Sequence, residues 1–242
     1  MTSIGIYGSL GRMGVAIRDI LAEQGVGFAG GADAGDDPAA VAAAADALVD
    51  FSTPVALEAH LAAARAAGTP IVIGTTGLNA QHHALIDDAA RDIAVLQTGN
   101  TSLGVVLLAR LVREAAARLG PDWDIEIAEM HHRQKVDAPS GTALMLGEAA
   151  AAGREVALGE VRVADRAGLT GARAEGTIGF ASLRGGTVVG DHLVVLAGTG
   201  ERIELAHRAG DRAIFARGAV RAALWLAGKP AGRYTMDAVL GL

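Results

Sequence analysis

The sequence predicts an α/β protein in two parts: a doubly wound parallel sheet, then an α+β domain with a mixed or antiparallel sheet. Three observations point there. Short β-branched runs alternate with alanine-rich helical stretches as far as residue 101. Glycines 8, 11 and 14 follow the first strand and open the first helix. From residue 102 the pattern changes to a long helix, a charged strand and apolar–polar alternation between glycine turns.

The elements follow in order. SIGIYG is a strand leading into RMGVAIRDILAEQG, a helix whose Ile17, Ile20 and Leu21 share a face before Gly25 stops it. VGFAGGAD is the second strand. A polar, alanine-rich stretch separates it from the third, ALVDFS, which precedes a helix with Pro54 in its first turn and Gly68 past its end. PIVIGTTG and IAVLQTGN are two more strands, divided by a helix capped by Asn79. Strands alternating with helices require a parallel sheet with right-handed crossovers. LGVVLLARLVREAAARLG opens the second domain, DIEIAEMHH is its charged strand and TALMLGEAAA a further helix. GTIGFASLRGGTVVGDHLVVLAGTGERIELAHR then reads as antiparallel strands between glycine turns. The closing helix, RAIFARGAVRAALWLAG, returns to the first domain, which sets the domains at 1–101 with 213–242, and at 102–212.

Composition narrows the function. A formal net charge of −6 argues against nucleic acid or an anionic membrane as the main partner, since both need a basic face. No apolar run is long enough to span a bilayer, and the first residues lack the basic start and apolar core of a signal peptide. Without cysteine there is no disulfide, thiolate metal site or thiol nucleophile, which suits a reducing cytoplasm. A small molecule is the expected partner.

In IGIYGSLGRMG the glycines follow a strand and open a helix, the place where a tight turn, close backbone approach and helix-end N–H groups hold a pyrophosphate. The spacing is G-x-x-G-x-x-G, with Leu10 at the usual middle glycine, so an ordinary glycine-rich turn stays open as an alternative. Asp33 ends the next strand, where a carboxylate accepts hydrogen bonds from both adenosine ribose hydroxyls. Three more strand ends carry small and hydroxyl residues: Phe51-Ser52-Thr53-Pro54, Gly74-Thr75-Thr76-Gly77 and Thr98-Gly99-Asn100-Thr101. All belong to the edge where open α/β sheets bind their ligands.

The stretch AEMHHRQKVDAPSGTA, residues 128–143, concentrates positive charge beside a turn. His131 and Lys135, four apart, project to one side whether the segment is extended or helical, so the pair can supply a proton and hold negative charge. Pro139 biases Ala138 to an extended conformation, and Ser140-Gly141-Thr142 starts a helix whose first amides form a carboxylate seat. A small, multiply anionic ligand fits this segment. A solvated charged strand end, or a metal held by Glu129, His131 and His132, are the competing readings. His60, His82 and His83 read as structural.

Taken in order, GSLGRMG, DFSTP, IGTTG, EMHHRQKVDAPSGTA, GTIGFASLRGG and the closing ARGAVRAALWLAGK closely resemble the 4-hydroxy-tetrahydrodipicolinate (dihydrodipicolinate) reductase family of bacterial lysine and diaminopimelate synthesis. The resemblance implies a Rossmann-like cofactor domain completed by the C-terminal helix, and a substrate domain whose sheet assembles a homotetramer. It implies hydride transfer from NAD(P)H to C4 of 4-hydroxy-tetrahydrodipicolinate with loss of water. His131 matches the family's proton donor and Lys135 its second acid. His132, Gly141 and Thr142 match contacts to the substrate carboxylates. Gly8, Ser9, Leu10, Gly11, Arg12 and Met13 match the pyrophosphate loop, and Asp33 the ribose acid. Gly74, Thr75 and Thr76 fall near the nicotinamide, with Thr76 also at the substrate, as do Thr98, Gly99, Asn100 and Thr101. Arg212 and Phe215 match cofactor contacts from the C-terminal segment.

One departure bears on the cofactor. Many relatives carry a basic residue directly after the ribose acid, whereas this chain reads Asp33-Ala34-Gly35-Asp36-Asp37. Three carboxylates repel a 2′-phosphate, so NADH is expected to be preferred, while Arg12 keeps NADPH possible. A different dehydrogenase acting on an amino acid or sugar needs another base in place of His131 and leaves the Pro-Ser-Gly-Thr seat unexplained, while one acting on a small dicarboxylate stays open as the alternative. A dinucleotide-sensing regulator calls for a DNA-reading helix and basic face that the sequence does not offer.

Overall fold

The computed structural model describes residues 2–242. The chain begins with β1 (Ser3–Tyr7), α1 (Arg12–Gln24), β2 (Gly27–Ala32), α2 (Pro38–Ala44), β3 (Ala47–Asp50), α3 (Leu57–Ala67), β4 (Ile71–Ile73), α4 (Ala80–Ala89) and β5 (Ala94–Gln97). It continues through α5 (Leu103–Leu119), β6 (Asp124–His131), α6 (Gly141–Gly153), α7 (Leu158–Val161), β7 (Arg162–Val163), β8 (Ile178–Arg184), β9 (Gly190–Gly198) and β10 (Glu201–Ala209). It closes with α8 (Ala213–Leu226), β11 (Gly232–Tyr234) and α9 (Met236–Leu240). These divide into two units, one running to Leu103 and resuming at Ala213–Leu242, the other spanning Gly104–Arg212.

The first unit is a six-stranded sheet in the order β11-β5-β4-β3-β1-β2, with every pair parallel. Parallel strands covered on both faces are apolar along their whole length. Accordingly all four residues of β3 and all three of β4 are buried. Gly25 and Gly68 stop α1 and α3 in the left-handed conformation, with φ of 66° and 67°. Asn79 caps α4 reciprocally with His82, which gives His82 a structural job. One element is not assigned from sequence, and one helix start needs correction. The alanine-rich stretch after β2 holds α2, started by the Asp37 carboxylate on Ala39 N at 2.9 Å with Pro38 at the first helical position. Pro54 heads a separate 3-10 turn, Pro54–Ala56, ahead of α3.

The closing helix α8 packs within this unit through Ala216, Gly218, Ala219, Val220, Ala222, Ala223 and Leu226. Thr101 fastens it, donating from Oγ1 to the Phe215 carbonyl at 2.7 Å. A Cβ on Gly218 would lie 1.7 Å from the Thr101 carbonyl oxygen, so only glycine permits this approach.

The second unit is a five-stranded mixed sheet in the order β10-β9-β6-β8-β7. The expected run of antiparallel strands is only half right. β10 with β9 and β9 with β6 are antiparallel, but β8 runs parallel to β6 and β7 parallel to β8. The reason is β6, which inserts between β8 and β9 and prevents the hairpin their spacing suggests. Alternation along β6 turns Ile125, Ile127, Glu129 and His131 to the buried face, where Ile125 and Ile127 join Val112, Leu146, Phe180 and Val194 in the core. The same alternation carries two polar residues to the end of that stripe.

Replacing Gly218 by Ala is expected to cost about 2–3 kcal/mol of unfolding free energy, because α8 must shift to clear a backbone oxygen. Gly159→Ala, where a Cβ meets nothing within 4 Å, serves as the control and should change stability little in urea denaturation.

Candidate active site

In the first unit the turn after β1 has the geometry that a diphosphate needs. Gly8 sits at φ +79°, and a Cβ there would lie 2.6 Å from the Phe51 carbonyl oxygen. A Cβ on Gly14 would lie 2.2 Å from Gly8 O, so α1 presses directly against the turn. Leu10, Gly11 and Arg12 are exposed at the start of α1, where helix N–H groups and dipole favour an anion. Ser9 is buried and donates from Oγ to Asp33 Oδ2 at 2.6 Å, while Leu10 N donates to both Asp33 oxygens at 3.1 and 3.2 Å. Asp33 thus braces the turn from the end of β2. A cavity of about 460 Å³ opens beside it, its lining including Gly8, Asp33, Asp36, Phe51, Ser52 and His60. The glycine cradle and the adjoining acid fit a dinucleotide: the one would hold the diphosphate, the other a ribose.

In the second unit the end of β6 builds a buried polar cluster. Glu129 is 2 % exposed and His131 8 % exposed, with His131 Nδ1 2.6 Å from Glu129 Oε2. Arg184 grips Glu129 with two bonds of 2.8 Å, and Ser140 N adds a third at 3.3 Å. Burial by itself would raise the Glu129 carboxyl, but hydrogen bonds from Arg184, His131 and Ser182 prevail and hold it at about 2. An ionised carboxylate only accepts, so Nδ1 of His131 carries the proton and Nε2 is the nitrogen left to meet a ligand. A Cβ on Gly190 would lie 3.0 Å from that Nε2, so the glycine clears the space around it.

His192 stands edge-on to His131 with ring centroids 5.2 Å apart, and its Nε2 is 3.1 Å from Ser140 Oγ. Burial, reinforced by the neighbouring His131, pushes His192 down to about 4, so it is neutral near pH 7. Ser140 also caps α6 by accepting from Ala143 N at 3.1 Å, which places Gly141 and Thr142 at the positive end of that helix.

The segment between His131 and α6 is a turn, with Lys135 N donating to His132 O at 3.1 Å. It is neither extended nor helical, so periodicity does not bring His131 and Lys135 together. Lys135 is instead half-buried with Nζ 2.8 Å from Asp137 Oδ1, yet close enough for its charge to act on His192. His132 Nε2 lies 3.2 Å from Arg212 Nη2, and since guanidinium only donates, that nitrogen accepts. In the first unit, Thr76 and Gly99 are exposed. Thr75 is buried with its hydroxyl on Asp50, Thr98 Oγ1 bonds the Asn100 backbone, and Thr101 holds Phe215. These three hydroxyls therefore shape their loops from within. Sequence reasoning missed Arg184, His192 and Gly190, and considered Glu129 only as a metal ligand. Among the described residues no group of three or more metal-ligating side chains converges. Alternation along β6 was an available signal for Glu129. His192 and Arg184 become neighbours only through strand register, Glu129 opposite His192 and His131 opposite Arg184.

A doubly wound unit with a glycine-rich turn and a bracing acid, joined in one chain to an α+β unit bearing a buried imidazole–carboxylate pair, defines a Rossmann-type oxidoreductase. Comparison with known proteins narrows the class. The model of the N-terminus of dihydrodipicolinate reductase matches residues 2–101, and that of its C-terminus residues 104–240. The 4-hydroxy-tetrahydrodipicolinate reductase of Zymomonas mobilis subsp. mobilis is 55% identical over 246 residues, covering 99% of this chain and 97% of its own. That of Brucella abortus is 51% identical, covering 98% of each. This chain belongs to the dihydrodipicolinate reductase family. The fold agrees with a solved dipicolinate-bound dihydrodipicolinate reductase from Paenisporosarcina sp. TG-14, at a TM-score of 0.73, 22% identity and 97% coverage of both chains.

The two shifted groups predict separate acid transitions. His192 is depressed from 6.5 to about 4, so its contribution to stability is full above pH 6.5 and is lost as pH falls through about 4. Glu129 is depressed from 4.5 to about 2, so its contribution is lost between those values. Urea denaturation across pH should show His192→Gln flattening the upper slope and Glu129→Gln the lower, with His207, also pushed down by burial, left in the upper window. Unchanged slopes in both variants would refute the assignment.

Proposed function

We propose that this chain is a NAD(P)H-dependent 4-hydroxy-tetrahydrodipicolinate reductase, a cytoplasmic homotetramer of the diaminopimelate and lysine route. The observation that carries the reading is the Glu129–His131 pair, 2.6 Å apart and buried at the head of a segment that ends in the start of α6. The first unit is the dinucleotide-binding domain and the second the substrate and assembly domain. Gly8 through Met13 would hold the diphosphate and Asp33 the adenosine ribose. Gly74 to Thr76 and Thr98 to Thr101 would shape the nicotinamide end, with Arg212 and Phe215 adding cofactor contacts. When bound, the reduced nicotinamide supplies a hydride for C4 of the substrate ring.

The chain's own residues do the rest. As an imidazolium, His131 would deliver its Nε2 proton to the substrate, while Glu129 accepts from Nδ1–H, holds the ring in orientation and leaves it as the Nδ1–H tautomer. Lys135 is the second acid and, with His132, Gly141, Thr142 and Thr76, holds the two carboxylates. Helix amides and fixed cations around a dianion are preorganised donors that need no rearrangement as negative charge develops. The departing hydroxyl leaves as water.

NADH is the preferred cofactor on this reading. Asp33 and Asp36 both line the cavity, and Asp36 Oδ2 accepts from Asp33 N at 2.9 Å, so two neighbouring carboxylates would repel a 2′-phosphate on a ribose held by Asp33. Arg12, exposed at the turn, is the residue that would let NADPH serve as well. The homotetramer draws support from the sheet of the second unit. On the face away from its core, Ala128, Met130, Leu193 and Val195 are only partly covered and Leu183 is 52 % exposed.

Steady-state oxidation of reduced nicotinamide with the ring substrate, and with unrelated keto acids, tests the activity. His131→Asn should lower kcat at least about 100-fold while leaving the cofactor KM near normal. kcat/KM should be higher with NADH than with NADPH at fixed ionic strength, and a strong NADPH preference would overturn the charge reading. Light scattering should give the mass of four chains; a monomer would remove the assembly role.

A further inference from the structure

One buried carboxylate is left unused by this mechanism. Asp50, the last residue of β3, is 0 % exposed, and its Oδ2 lies 2.9 Å from His60 Nδ1. Its other oxygen, Oδ1, is reached by Ser52 N at 2.9 Å, Ser52 Oγ at 2.5 Å and Thr75 Oγ1 at 3.1 Å. Ser52 N also points at Thr75 Oγ1, 3.1 Å away. One side chain therefore ties the loop after β3 to the loop after β4. The backbone closes on the same point. A Cβ on Gly8 would strike the Phe51 carbonyl, and a Cβ on Gly74 would lie 2.3 Å from the Phe51 ring. His60 is stacked on Tyr7 of β1, ring centroids 4.1 Å apart, and lines the cavity with Ser52 and Phe51.

We propose that Asp50 and His60 are a positioning pair for the cofactor cleft, holding the loops after β1, β3 and β4 in the spacing that receives the dinucleotide. The inference rests on the NAD(P)H reading of this cleft. Burying a carboxylate carries a large desolvation cost that a sheet does not need for its own stability, since an apolar residue would serve β3 better. What a carboxylate offers is acceptor capacity: two oxygens with about four lone-pair sites, here met by four donors. An amide has one acceptor oxygen and turns two N–H groups on whichever donors face it. Ser52 and Thr75 lie on different loops, so losing their shared acceptor leaves only the Ser52 N–Thr75 Oγ1 bond between the loops and loosens their spacing while the β3 and β4 ladder persists. His60, which sequence reading treats as merely structural, orients Asp50 by engaging the second oxygen.

The test compares binding of NADH, by fluorescence titration, with binding of pyridine-2,6-dicarboxylate, by calorimetry, in the intact chain and its variants. Asp50→Asn should raise Kd and KM for NADH about tenfold, with kcat at saturating NADH within roughly threefold and dicarboxylate affinity unchanged. His60→Leu should act in the same direction. His60→Asn, which puts an amide N–H near the position of Nδ1, should recover most of the affinity. If Asp50→Asn does not fold, the two His60 variants carry the test alone. NADH binding left within about twofold by Asp50→Asn or His60→Leu overturns the inference, as does equal loss of NADH and dicarboxylate affinity, or failure of His60→Asn to recover binding. An unmutated chain that binds neither NADH nor NADPH overturns the proposed function itself.

Discussion

A carboxylate placed at the carboxyl end of a buried strand must be met by donors, and each unit of this chain is organised around one such demand. Glu129 is the last but one residue of the buried stripe of β6, next to His131 at its end, and Asp50 ends β3. Both are almost wholly removed from water, and both answer to an imidazole Nδ1, at 2.6 and 2.9 Å. An uncompensated buried charge would cost several kcal/mol, so the groups that satisfy each carboxylate are held as firmly as the carboxylate itself. Those groups are His131 and Ser140 in one unit, Ser52 and Thr75 in the other.

The two carboxylates are satisfied differently, and the difference matches their tasks. Glu129 has a full countercharge in Arg184, whose paired 2.8 Å bonds keep it ionised even as the histidine beside it changes state. A carboxylate that orients an imidazole keeps its hold on Nδ1 when it stays ionised. Asp50 has no such cation and is met mainly by hydroxyl and amide donors from two loops. It spans backbone segments and is suited to holding a shape. His192, neutral near pH 7 and packed edge-on to His131, adds no charge beside that ring.

Glycine does the complementary work. Gly14 and Gly218 let helices approach a turn and a carbonyl at distances no Cβ would allow, and Gly190 leaves room beside His131 Nε2. Without Gly218 the C-terminal helix would stand off the loop that Thr101 closes. The returning helix thereby sets the shape of a loop more than a hundred residues earlier in the chain.

Much of this was legible in local pattern. Apolar runs gave β1 to β5, and glycines 25 and 68 with Asn79 marked helix ends because caps are written in neighbouring residues. The Asp37-Pro38 start of α2 was equally local and was passed over because alanine shows no amphipathic period. Partners of the key side chains were not legible. His131 was visible as a candidate, but its support from Glu129, Arg184 and His192 depends on register among β6, β8 and β9, set by strands some 50 residues apart. The hydroxyls of Thr75 and Thr101 bond the Asp50 carboxylate and the Phe215 carbonyl, partners that a strand end does not reveal because they lie elsewhere in the chain. Sequence alone determined the order of elements, the glycine turn and the family, all of which follow from short-range periodicity and contiguous motifs. Tertiary structure alone decided which buried charges meet, because that depends on strand pairing and on the requirement that each buried polar group find a donor or acceptor in space.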